Sequence, residues 1–167
     1  MRNQESRTRA FAVSAVLIAA IVASATALAC SDDDNIFIPS TATFVTTMTG
    51  AGENPPKDVP GVGVVTIIKS SGVYKFKINF SGMTGPLTGA HIHGPAPAGV
   101  NAPIIVPFDV QGAGTSGTLT GTFASTNTAT ISNDSLDVLM SNGNAYVNLH
   151  TAQNPGGEIR GQLMRQP

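Results

Sequence analysis

The chain has three histidines, His91, His93 and His150. His91 and His93 are two residues apart. On a strand both would project to one face, about 7 Å apart. With His150 as a third ligand, neutral imidazole nitrogens of this kind suit Cu or Zn. Further polar side chains alternate downstream: Asn148 with His150 in one run, and Glu158, Arg160 and Gln162 in the next. The same residue types also suit a structural hydrogen-bond network, because a partly buried Glu or Arg needs partners. They equally suit a site for a protein, glycan or other organic ligand. Residue types alone leave these readings open. No catalytic residue is assigned: no serine sits in a nucleophile-elbow setting, a second cysteine is lacking, and there is no phosphate loop or nucleotide fingerprint.

The elements that must position these residues are strands. Expected strands cover 43–48, 63–69, 73–80, 87–93, 104–110, 117–123, 145–151 and 158–164, with Gly- and Pro-rich turns between them. The run 73–80 is the clearest, with Tyr74, Phe76, Ile78 and Phe80 on one face and Val73, Lys75, Lys77 and Asn79 on the other. It pairs with 63–69 through a short turn at Ser70-Ser71-Gly72. Pro107 pushes its strand toward an edge or a bulge. Near 134–141 the period changes: Leu136, Leu139 and Met140 follow Asn133-Asp134-Ser135 and precede Asn142-Gly143, which predicts one short helix. About eight strands with one helix predict an all-β fold, a Greek-key-like antiparallel β-sandwich.

The last two strands allow a register argument. Val147 and Leu149 should face the core, as should Ile159 and Leu163. Cross-strand neighbours share a face, so paired residue numbers must have an even sum. The expected connection is a loop of three or five residues with a left-handed glycine. That register puts Asn148 and His150 on the same side as Glu158, Arg160 and Gln162. His91 and His93 are the candidates to join them.

Three segments carry a resemblance. They are Glu53-Asn54-Pro55-Pro56, Ala90-His91-Ile92-His93-Gly94-Pro95-Ala96, and Ala145-Tyr146-Val147-Asn148-Leu149-His150-Thr151 with Asn154-Pro155-Gly156-Gly157-Glu158-Ile159-Arg160-Gly161-Gln162-Leu163. In this order they resemble the chordin-type domain, written CHRD, over 42–165. Asn54 stands where that family more often has an aliphatic residue, and the helix is short. The resemblance implies a secreted or surface protein and brings no activity with it. The growth-factor antagonism for which the family is named does not transfer to this chain. The His-x-His strand is also similar to that of copper/zinc superoxide dismutases, but their further histidines and disulfide are missing here, so no dismutase activity follows.

Export is read from the N-terminus. Arg2, Arg7 and Arg9 against Glu5 precede an apolar run from Ala10 to Ala29, which ends Ala27-Leu28-Ala29-Cys30. This pattern predicts a signal peptide over 1–29. Cys30, the single cysteine, excludes an internal disulfide. Its place resembles the lipobox of bacterial lipoproteins, although Ala27 stands where Leu is usual. The resemblance implies diacylation at Cys30, with two acyl chains giving stable membrane attachment. An ordinary secreted protein and an uncleaved anchor, since about 20 apolar residues could span a bilayer, are the alternatives. Residues 30–41 then form an acidic tether, with Ile36-Phe37-Ile38 as a candidate edge strand.

Removing 29 of 167 residues leaves 138, one domain's worth. That part carries six basic against nine acidic residues, a net charge of −3 without a basic patch. Nucleic acid is therefore not an expected partner. The expectation is a cell-envelope lipoprotein, in the cell or outer membrane, displaying one β domain in a non-catalytic binding or scaffolding role. No cofactor is required by it; Cu or Zn at His91, His93 and His150 is the alternative, and an enzyme of unknown type is the third reading.

Overall fold

A computed structural model describes residues 41–124 and 133–167. Nine strands and one α-helix occur in the order β1 (Thr41–Thr49), β2 (Val62–Ser70), β3 (Val73–Ser81), β4 (Leu87–His93), β5 (Ile104–Pro107), β6 (Gly117–Phe123), α1 (Asn133–Ser141), β7 (Tyr146–Thr151), β8 (Ile159–Gln162) and β9 (Met164–Arg165). The all-β expectation with one short helix holds. Eight expected strands become nine because the last run is divided at Leu163, which is buried and donates its N–H to Ala145 O. The signal segment, Cys30 and the patch Ile36-Phe37-Ile38 lie outside the described residues. Among the described residues no helix is long and apolar enough to cross a membrane.

The strands form one antiparallel sheet in the order β5-β4-β7-β8-β1-β2-β3-β6, with β9 paired to β1. The sandwich is thus a single sheet folded over on itself, whose two ends come together. Phe108, just past β5, packs on Phe76 of β3 with centroids 4.3 Å apart and lies 5.9 Å from Phe123 of β6. The alternation in β3 is obeyed, with Tyr74, Phe76, Ile78 and Phe80 all buried. Burying that aromatic and aliphatic row against Phe44, Ile67, Ile92, Val147, Leu149 and Ile159 supplies the core. Pro107 does what its missing N–H requires: β5 is an edge strand and stops there instead of running to Val110.

Helix α1 closes one side of this core. Leu136 and Met140 are fully buried, while Val138 points outward. The helix ends in a Schellman arrangement, with Gly143 N–H donating to Met140 O and Asn144 N–H to Leu139 O. Asp137 ties it to the sheet by pairing with Lys69 and accepting from the Tyr74 hydroxyl at 2.6 Å.

The β7–β8 register has the predicted parity. Val147 faces Gly161, Asn148 faces Arg160 and Leu149 faces Ile159. The connection is longer than expected, because 152–158 separates the two strands. Two turns fill it, closed by Asn154 N–H to Thr151 O and Gly157 N–H to Asn154 O. The left-handed glycine is Gly157, at φ 120°.

Candidate functional site

Register alone builds most of the site. On β4, Ala90 and Ile92 enter the core, so His91 and His93 emerge on the outer face. On β7, Val147 and Leu149 point inward, leaving Tyr146, Asn148 and His150 outside. His91 lies opposite Asn148, and His93 opposite Tyr146. Arg160 and Gln162 of β8 complete the row opposite Asn148 and Tyr146. The pleat thus gathers residues from three strands on one face.

This face is nonetheless largely buried, because the segment 94–103 folds back over it. Its carbonyls need donors, and the polar row supplies them. Arg160 donates to Val100 O at 3.0 Å, to Pro97 O at 3.5 Å and to Asn101 Oδ1 at 3.2 Å. Gln162 donates to Ala96 O at 2.8 Å and Gly143 O at 2.6 Å. The Tyr146 hydroxyl accepts from Ala102 N–H at 3.1 Å. The Arg160 guanidinium lies over the Tyr146 ring, 3.3 Å from its centroid, and His93 stacks on Tyr146 with centroids 4.9 Å apart. Arg160 and Gln162 therefore strap the covering segment down.

The histidines form a tighter group. Their nearest ligand atoms all lie within 4.8 Å of one another. His93 Nδ1 donates to Ala102 O at 2.8 Å, and His150 Nδ1 donates to Pro155 O at 3.0 Å. A carbonyl can only accept, so both neutral rings carry their proton on Nδ1 and turn a bare Nε2 toward the cluster. Metal-binding histidines are commonly oriented by such outer carbonyls. His91 Nδ1 meets His150 Nε2 at 3.0 Å. Gly89 allows that approach, since a Cβ there would lie 2.9 Å from His91 Cε1. His93 Nε2 is buried and has no hydrogen-bond partner.

Burial favours neutral rings. Burial, then the neighbouring rings of His150 and His93, push His91 down to about 4. Burial also lowers His93 against the opposing Ala102 carbonyl, and lowers His150 against the Pro155 carbonyl. The site therefore presents unprotonated nitrogens near neutral pH. The residues fit Zn or Cu in kind. In distance, a tetrahedral ion with bonds of 2.0–2.1 Å separates its donors by about 3.3 Å, so the widest-spaced rings must draw together by up to about 1.5 Å.

Glu158 does not join this group. Its carboxylate accepts from Thr84 N–H at 2.7 Å, from the Thr84 and Thr151 hydroxyls, and from Asn154 Nδ2 at 3.0 Å. Regular alternation begins only at Ile159, because the turn through Gly157 redirects the chain just before it. Burial alone would raise the Glu158 carboxyl, but the hydrogen bonds from Thr151, Thr84 and Asn154 together hold it below the usual carboxylate range. This knot explains the long connection between β7 and β8. A Glu158→Gln domain should lose about 2 kcal/mol at neutral pH, since an amide nitrogen would confront donors. With a depressed folded value, the native carboxylate stabilises above the unfolded value near 4.5, and that contribution is lost as pH falls through the folded value. Urea unfolding of both proteins at pH 7 and pH 3 should show the gap between them narrowing in acid.

Glu53 belongs to the site although its residue type gave no sign of it. It follows the 3₁₀ turn Gly50–Gly52 at the end of β1, and the Thr49–Arg160 pairing brings it beside β8. It is 5 % exposed, and its Oε1 makes no hydrogen bond. Burial raises its carboxyl, opposed by the Arg160 charge and the Asn148 amide. A Cβ at Gly157 would fall 2.4 Å from Glu53 Oε1 and 2.8 Å from Asn148 Nδ2, so only glycine leaves room for those two groups. The one available signal was the motif Glu53-Asn54-Pro55-Pro56 itself.

The family model described as the CHRD domain matches residues 44–163. No curated protein and no solved structure matches the chain.

Proposed function

The chain belongs to the CHRD domain family, and from that premise we propose an extracytoplasmic, lipid-anchored, non-catalytic binding protein whose domain holds one Zn or Cu ion at His91, His93 and His150. One observation carries this reading: His93 Nε2, buried, unpartnered and turned toward two other imidazoles. An orphaned buried acceptor costs about 1–3 kcal/mol, and a cation in the cluster would remove that cost. In the network reading each imidazole nitrogen should have a hydrogen-bond partner, and this one makes no hydrogen bond, with only the Asn148 side chain beside it.

His91, His93 and His150 would hold the ion. The ion would supply a fixed positive charge and an electrophilic centre. The carbonyls of Ala102 and Pro155 would keep two of the rings turned inward. Binding or scaffolding at the cell surface then has a chemical content, with a protein or glycan partner as the alternative occupant.

The test is equilibrium dialysis of the purified domain against Zn(II) or Cu(II), followed by elemental analysis and thermal unfolding. One ion per chain is expected, with stabilisation of about 2.7 kcal/mol at a hundred times Kd, reversed by chelation. No stoichiometric ion and unchanged melting would overturn the metal reading.

The anchor rests on residues 1–30 and has its own test. Cys30→Ser should move the protein from the membrane fraction to the soluble fraction of expressing cells. Retention on membranes would overturn lipid attachment.

A further inference from the structure

Four lone-pair donors converge at the cluster, and the fourth is not a histidine. Asn148 Oδ1 lies 3.0 Å from His150 Nε2. The Pro155 carbonyl takes the proton on His150 Nδ1, so Nε2 of the neutral ring is bare. An amide oxygen is bare as well. Two acceptors at hydrogen-bond distance repel unless a cation lies between them. His150 Nε2 takes its one donor from His91 Nδ1, which leaves none for the amide oxygen, and His93, whose Nε2 makes no hydrogen bond, has the same amide beside it.

The opposite orientation of Asn148 would relieve that repulsion, but Glu53 opposes it. Asn148 Nδ2 and Glu53 Oε1 flank the same point beside Gly157. Turning the amide over would set its oxygen against the carboxylate. The buried acid therefore keeps the nitrogen toward itself and the oxygen toward the imidazoles.

Resting on the three-histidine reading, we infer that Asn148 Oδ1 is the fourth ligand of the metal ion and that Glu53 is the residue that positions it. The donor set is then three nitrogens and one oxygen, all from protein. Without a thiolate or thioether, it favours Zn(II), Co(II) or Cu(II) over Cu(I). A site filled by four protein ligands is of the closed kind that stores or stabilises, with no position kept for substrate.

Co(II) is the probe, because its visible bands report coordination number. The wild-type domain should bind one Co(II) with the intense bands of a four-coordinate ion. Asn148→Leu should weaken binding at least about 10-fold and replace those bands with a different set. Glu53→Gln should weaken binding about 10-fold and move the spectrum toward that of Asn148→Leu, as loss of an outer-shell partner does. Wild-type affinity and spectrum in both variants would overturn the inference and leave the three-histidine site standing. Absence of Co(II) and Zn(II) binding by the wild-type domain would overturn both. If Asn148→Leu does not fold, Asn148→Asp combined with Glu53→Gln decides, because the Gln amide can donate to the second carboxylate oxygen: an anionic ligand oxygen should tighten Co(II) binding relative to Glu53→Gln alone, and an unchanged affinity overturns the assignment.

Discussion

Replacing His93 by Phe should abolish metal loading, lowering Zn(II) affinity by at least about 100-fold, more than the loss of an outer-shell partner costs. The metal-free domain should change little in stability, by about 1 kcal/mol or less. The reason lies in what each atom of His93 does. Its Nδ1–H satisfies Ala102 O, its ring stacks on Tyr146, and its Nε2 satisfies nothing. Phenylalanine keeps the stack, loses one hydrogen bond and removes the orphaned acceptor. The last two changes offset each other. Isothermal titration with Zn(II) and urea unfolding in chelator measure the two halves. A domain that unfolds readily in chelator once His93 is changed would favour the network reading, in which the ring is a structural strut.

The second large effect belongs to Arg160, and it should fall on stability. Arg160→Met should destabilise the domain by about 3–5 kcal/mol, the usual result of breaking one side of a buried charged network. The residue is 1 % exposed. Methionine can still cover Tyr146, but the Val100 carbonyl and the Asn101 side-chain oxygen lose the guanidinium donors, the Pro97 carbonyl is left with Val100 N–H alone, and Glu53 loses the nearby positive charge. For a domain of this size, that loss should lower Tm by more than about 10 °C. Calorimetry checks this, and proteolysis should find the segment 94–103 cut first. Arg160→Lys should recover part of the loss, because it keeps the charge but cannot fork to several acceptors.

These two residues mark how much of the site alternation could reveal. Wherever the strands are regular, alternation placed side chains correctly. His91 and His93 share a face, Asn148 and Arg160 meet across β7 and β8, and Gln162 follows them. Glu158 was misplaced because the two-residue period starts at Ile159. The chain before it obeys turn geometry and its own hydrogen bonds with Thr84, Thr151 and Asn154. Glu53 was passed over because nothing local distinguishes a buried acid from a loop acid. Its environment is set by β1 pairing with β8, two strands far apart in sequence.

The strands, their inward faces, the parity of the last hairpin, the edge position of β5, the short helix and the family were all legible in the residues. These depend on side-chain period and on proline and turn chemistry, which act between near neighbours. Long-range pairing, by contrast, folds one sheet over to meet its own ends, lays the segment 94–103 over an outer face, and gathers His91, His93 and His150 with Asn148 beside them and Glu53 behind it. Those outcomes depend on which strands pair across long separations, and on which carbonyls are left for Arg160 and Gln162 to satisfy. The ring proton of His93, set by Ala102 O, is of the same kind. It is fixed by a contact that exists only once the chain has folded back on itself.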